Sequence, residues 1–187
     1  MNGRAVTYTL AHLAIILGIC MAAPLVVSIM YFGDHPSGVW IWEIVGFALP
    51  MALCLGAGFY FRKRYQSFSV LGRREGFAVV TFSWLLLTLV GMTPYLISGA
   101  THSVTDAFFE TMSGFTTTGA SVFPQVEIIP HGVQFWRHMT QWMGGMGIVV
   151  LSVALLSFLG VGGYRLLKAE THGGVTFERE MPRFNQR

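Results

Sequence analysis

Long apolar runs separated by short polar turns set the pattern of this chain. The first extends from Tyr8 to Met30 and is broken only by Pro24. Inside a bilayer a helix tolerates such a proline as a kink, because neighbours re-satisfy the backbone groups it frees. Gly33-Asp34-His35-Pro36-Ser37-Gly38 then reads as a tight turn. The second run, Val39 to Phe61, carries Trp40 and Trp42 at its start and Tyr60 at its end. Amphipathic rings favour the headgroup level, so these mark interfaces. Together the two runs predict a transmembrane hairpin over residues 1–61. A basic loop over 62–76 follows, with Arg62-Lys63-Arg64 and Arg73-Arg74, and Phe77 to Ile97 is a third run ending near Pro94-Tyr95. Each run suits a hydrocarbon core about 30 Å thick, which needs roughly 20 helical residues.

The stretch from Ser98 to Val133 breaks the pattern. It is polar and glycine-bearing, yet Val104 to Phe115 has the character of a short helix. A dozen helical residues rise only about 18 Å, so this helix enters a membrane without crossing it. Such a re-entrant segment is permitted at membrane depth where protein or a water-filled cavity covers its backbone. Phe135 to about Leu159 crosses back, with Trp136 and Trp142 near its outer end. The expectation is an all-α membrane protein: a hairpin, then one helix–pore loop–helix repeat over 77–160, then a charged cytoplasmic tail over 161–187.

Composition strengthens the membrane reading. Hydrophobic residues make up 53% of the chain and charged ones 11%, against about a quarter charged in soluble domains. The formal net charge of +3 comes without a basic stripe interleaved with aromatics, so nucleic acid is not an expected partner. Topology accounts for the excess instead. With both termini cytoplasmic, every lysine and arginine except Arg137 lies inside, as the positive-inside rule requires. Asp34, Asp106, Glu110 and Glu127 then lie outside. Cys20 and Cys54 sit within apolar runs and read as small core residues. The first run has no small-residue cleavage site, since its nearest candidate, Ala22-Ala23-Pro24, is spoiled by the proline.

Candidate chemistry is concentrated after the short helix, at Thr116-Thr117-Thr118-Gly119-Ala120-Ser121. A glycine there permits backbone angles that hold carbonyl oxygens toward one axis, and such oxygens can replace the water around a cation. The partially negative C-terminus of the helix favours the same charge. A polar turn closed by a helix-terminating glycine is the competing reading. Asp106 and Glu110 share a face of the short helix, either as vestibule anions that concentrate cations or with Glu110 satisfying donors behind the loop. Arg137 either pairs with one of them or snorkels at the interface. Glu43 is expected at the interface. Gly144, Gly145 and Gly147 suggest close helix approach, with flexibility for gating as the alternative. The histidines lack metal-ligand spacing, and Ser113 lacks the context of an activated nucleophile.

The run Asp106-Ala107-Phe108-Phe109-Glu110-Thr111-Met112-Ser113-Gly114-Phe115-Thr116-Thr117-Thr118-Gly119-Ala120 resembles the first pore loop of the Trk/Ktr/HKT potassium transporter family. Trp136-Arg137, Gln141-Trp142-Met143-Gly144-Gly145-Met146-Gly147-Ile148, Gly160-Val161-Gly162-Gly163 and Ala169-Glu170 resemble the rest of that repeat. The leading hairpin resembles the extra helix pair of the TrkH branch. The resemblance implies potassium uptake across a bacterial inner (plasma) membrane through a selectivity filter at Thr116, Thr117, Thr118, Gly119 and Ala120. Asp106, Glu110, Gly144, Gly145 and Gly147 would support it. It implies no cofactor, with potassium as the transported substrate. In the family four repeats surround one pore, members pair as dimers, and a cytoplasmic nucleotide-binding subunit (TrkA-like) gates them. A serine in place of the filter glycine accompanies sodium transport in some plant relatives. Only one repeat is present, so the expectation is a fragment of a longer transporter that works with the remaining repeats, or a chain that assembles with further copies of itself. A non-conducting membrane subunit is the alternative.

Overall fold

The computed structural model describes residues 3–33, 39–65 and 72–158; the expected tail over 161–187 lies outside them. Among the described residues the fold is all helical. The helices are α1 (Gly3–Cys20), α2 (Ala22–Met30), α3 (Val39–Arg64), α4 (Arg73–Gly91), α5 (Thr93–Ile97), α6 (Val104–Phe115) and α7 (His131–Phe158), with one 3-10 turn at Val126–Ile128. The chain forms two compact units, Met1–Ile148 and Val149–Arg187. Among the described residues the second holds only the C-terminal end of α7. Among the described residues three stretches, Gly3–Met30, Ile41–Arg64 and Arg74–Ile97, are long and apolar enough to cross a membrane.

The first span begins at Gly3, earlier than its apolar run. Its early hydroxyls are neutralised locally: Thr7 and Thr9 donate to the carbonyls of Gly3 and Ala5, four residues back. The break falls at Met21, between α1 and α2. Pro24 is its cause, because the ring excludes the carbonyl of Cys20 and supplies no N–H for it. In α3 the helix instead continues through Pro50.

Helices α1 and α3 close tightly where glycine removes a side chain. A Cβ at Gly58 would lie 2.6 Å from Ile15 Cγ1 and 3.0 Å from the Ala11 carbonyl oxygen. Small residues bring backbones together in lipid, where apolar burial alone gives no net attraction between helices. Outward positions such as Leu53, Phe59, Phe82 and Leu89 are exposed large apolar side chains, as a lipid-facing surface requires.

The third span bends at Met92, and the bend builds a docking point. Pro94 cannot donate to the Val90 carbonyl, so Thr93 Oγ1 does so at 2.7 Å. The next carbonyl, of Gly91, accepts from Trp136 Nε1 at 3.0 Å. The Trp136 indole is fully buried, edge-on to Phe47 and Phe115 with centroids at 6.2 and 6.4 Å. Tyr95, Phe47, Phe115 and Trp136 thus form the centre of the core. Glu43, expected at an interface, is instead buried, at 3% exposure, with its Oε1 accepting from the Gly132 amide at 2.7 Å. A carboxylate near a span's end points inward here because a helix terminus offers it a donor.

Candidate ion-coordinating loop

Helix α6 is set by its ends. Ser103 caps it, its hydroxyl accepting from the Asp106 amide at 3.2 Å. Asp106 lies in the first turn, where a carboxylate complements the positive end of the helix dipole; its side chain is partly exposed. At the other end the chain folds back on the helix. The amides of Thr116, Thr117 and Thr118 donate to the carbonyls of Met112, Gly114 and Ser113 at 2.9, 2.9 and 3.0 Å, and that of Gly119 to Ser113 at 3.4 Å. Two residues in this turn take positive φ, Thr117 at 58° and Gly119 at 76°. For a β-branched residue such a φ is a strained outlier, held here by the amide bond and by Thr117 Oγ1 donating to the Thr116 carbonyl at 2.7 Å.

These amide bonds determine where the carbonyls point. In a planar trans peptide the C=O and N–H are antiparallel, and the described chain has no cis peptide. With the N–H groups of Thr117, Thr118 and Gly119 aimed into α6, the carbonyls of Thr116, Thr117 and Thr118 face away from it. Residues 117–121 are exposed in this chain. The carbonyls of Met112, Ser113 and Gly114 are taken up by the loop, so the loop's own oxygens, and not the helix end, are presented outward. Ala120 differs: its carbonyl accepts from Ser113 Oγ at 2.6 Å, which turns it back toward the helix.

Behind the loop a buried carboxylate gathers the return limb. Glu110 is 1% exposed. Its Oε2 accepts from the Val122 amide at 3.0 Å, and Ser121 Oγ donates to both carboxylate oxygens, at 3.1 and 3.2 Å. Arg137 Nε, also buried, pairs with Oε1. Of the two readings of Glu110, this geometry is that of a group satisfying donors behind the loop. Asp106, one turn earlier on the same helix, takes no part in this cluster's hydrogen bonds.

The glycines of α7 separate by their surroundings. A Cβ at Gly144 would overlap the Phe115 carbonyl, so α7 meets the end of α6 there backbone to backbone. Gly114 is the reciprocal contact, with no room for a side chain against Thr140 Oγ1. At Gly145 a Cβ would make an ordinary 3.8 Å contact with Thr117 Cγ2, and at Gly147 it would meet nothing within 4 Å. Among the described residues, close approach therefore involves Gly144 alone of the three.

A family model described as a cation transport protein, TrkH, matches residues 46–186. The chain belongs to the TrkH family. Among its relatives, the Trk system potassium uptake protein TrkH of Escherichia coli (strain K12) is 37% identical over 184 residues, covering 98% of this chain and 37% of the relative. The TrkH protein of Halomonas elongata is 35% identical over 187 residues, covering 100% of this chain and 37% of the relative. The Trk system potassium uptake protein TrkG of E. coli (strain K12) is 30% identical over 181 residues, covering 96% of this chain and 36% of the relative. This chain therefore spans little more than a third of the length of these relatives.

Proposed function

We propose that this chain supplies one pore-lining repeat of a potassium pathway, with the backbone oxygens of Thr116, Thr117 and Thr118 forming one wall of the filter. The observation that carries this reading is the outward orientation of those carbonyls, with residues 117 and 118 exposed and the half-buried Thr116 carbonyl taking only the hydroxyl of its own neighbour Thr117. Oxygens so presented replace the hydration of a potassium ion, and the work is the lowering of its dehydration barrier. No bond is made or broken, so the chain is not an enzyme and needs no cofactor. One loop gives one wall, so the remaining repeats or further copies complete the ring. Gly119, with φ of 76°, lets the strand turn without the strain that a Cβ would add. Gly144 sets the depth of α6 against α7, Glu110 holds the return limb, and Asp106 steadies the start of α6. Gly145 lies beside Thr117 of the loop, and Gly147 has no described residue against it, which leaves room for neighbouring repeats. The relatives' names as potassium uptake proteins support the ion. The distribution of basic residues supports cytoplasmic termini; the family resemblance implies a plasma-membrane protein, in bacteria the inner membrane, with a nucleotide-binding regulatory subunit (TrkA-like) on the cytoplasmic side.

The test is a chimera in which this chain replaces the matching segment of the E. coli TrkH relative, expressed in cells lacking their own potassium uptake. The reading expects growth at low potassium, and a Gly119→Ser form that loses about tenfold in potassium-over-sodium discrimination, or roughly 1.4 kcal/mol. A chimera that folds and does not transport, or whose selectivity ignores Gly119→Ser, contradicts it.

A further inference from the structure

Helix α7 meets its unit along one stripe. Gly132, Trp136, Thr140 and Gly144 follow at four-residue spacing and so share a face. Trp136 reaches Gly91, Thr140 meets Gly114, and Gly144 meets Phe115, all within the helix–loop–helix repeat. The first anchor is different, because it comes from the leading helix pair. Gly132 lies against Ser28 Oγ and the Pro24 carbonyl of α2 and against Glu43 of α3, and a Cβ there would come within 2.7 Å of Glu43 Oε1 and 2.8 Å of the Pro24 oxygen.

Glu43 is an unexpected residue for plain packing. A leucine would fill the space without burying a polar group. What the carboxylate adds is an acceptor aimed at the first turn of α7, whose amides have no partner within the helix and whose dipole favours negative charge. Its Oε1 takes the Gly132 amide at 2.7 Å. Five residues further along the same rigid helix, Arg137 grips Glu110, and Glu110 holds Ser121 and Val122 directly after the loop. A displacement of the α7 start is therefore carried to the loop's return limb.

We propose that Glu43 is a positioning residue for the ion-coordinating loop: from outside the repeat it fixes the start of α7, and through Arg137 and Glu110 it fixes residues 121 and 122. The consequence for selectivity rests on the potassium reading above; the positioning itself does not. Two mild variants separate reach from charge. Glu43→Gln keeps an oxygen at the same distance and removes the charge, whereas Glu43→Asp keeps the charge and withdraws the oxygen by one methylene.

Hydrogen exchange of the full chain in lipid nanodiscs reads the outcome. In Glu43→Asp the amides of Gly132 and Val122 exchange about tenfold faster or more, the effect of losing one charge-assisted hydrogen bond, while the Gly58 contact between α1 and α3 keeps its protection. In Glu43→Gln, which keeps the oxygen and loses the charge assistance, both amides exchange faster than wild type but clearly less fast than in Glu43→Asp. The proposal is overturned if Glu43→Asp leaves Val122 unchanged, whether or not Gly132 loosens, or if Glu43→Gln loosens both as much as Glu43→Asp. In the chimera, Glu43→Asp lowers potassium-over-sodium discrimination and Glu43→Gln does not; equal discrimination in both overturns the functional half. A chimera that conducts in no form removes the potassium reading and leaves the exchange rates to decide the positioning.

Discussion

The leading hairpin and the α6 loop are held by different physics. Helices α1 and α3 meet through glycine and apolar side chains, and their outer faces leave residues such as Leu53 and Phe59 exposed. The loop is held by directional bonds, with four successive amides tied into α6 and a buried carboxylate gripping the return limb. In lipid, apolar surface gains little from choosing one apolar neighbour over another, so the hairpin specifies closeness and little else. The loop specifies orientation, which is what a coordinating surface needs. Glu43 joins the hairpin to the repeat by a hydrogen bond to the start of α7, whereas Trp136 ties α7 to the end of α4 within the repeat.

The sharpest way to break this contrast is at the buried pair. Replacing Glu110 by leucine leaves the Arg137 guanidinium buried and unpaired and frees Ser121 and Val122. Removing one partner of a buried ion pair costs about 3–5 kcal/mol, to be seen in thermal unfolding in detergent, and adding Arg137→Met recovers part of it. A loss under about 1 kcal/mol would mean that the pair does not hold the loop. Next in size is Gly144→Ala, which drives a methyl into the Phe115 carbonyl; overpacking of this kind costs about 1–3 kcal/mol. The hairpin gives the smallest effect. At Gly58 an added methyl meets Ile15 Cγ1 at 2.6 Å and the Ala11 oxygen at 3.0 Å, a side-chain clash first and not the backbone overlap of Gly144, so Gly58→Ala costs about 1 kcal/mol and leaves the ion selectivity of the chimera unchanged. An altered selectivity there would erase the distinction between the two regions.

Much of the fold was legible because its signals are local. The ends of α6, Val104 and Phe115, agree with the sequence pattern because Ser103 caps one end and the threonine run breaks the other. The crossing helices follow from length and apolarity. What was hidden depends on distant partners. Glu43 looks interfacial until the α7 start is brought to it from 89 residues away. Trp136 has the pattern of a headgroup aromatic, yet it is buried because the Met92 bend frees a carbonyl for it. Gly144, Gly145 and Gly147 are indistinguishable as letters, and only the position of Phe115 separates the first from the others. The Ala120 carbonyl fits a filter by motif, but Ser113 Oγ turns it back. The helix-end charge invoked for α6 is likewise redirected, since the loop's amides occupy its last carbonyls.

The central claim concerns the direction of three carbonyls, and an isotope-edited infrared measurement addresses it directly. With a labelled carbonyl at Thr117 in the conducting chimera, exchanging sodium for potassium shifts that band, because the oxygen enters the ion's coordination shell, while the same label at Ala120 shifts less. A Thr117 band indifferent to the cation, in a chimera shown to transport potassium, would contradict the account.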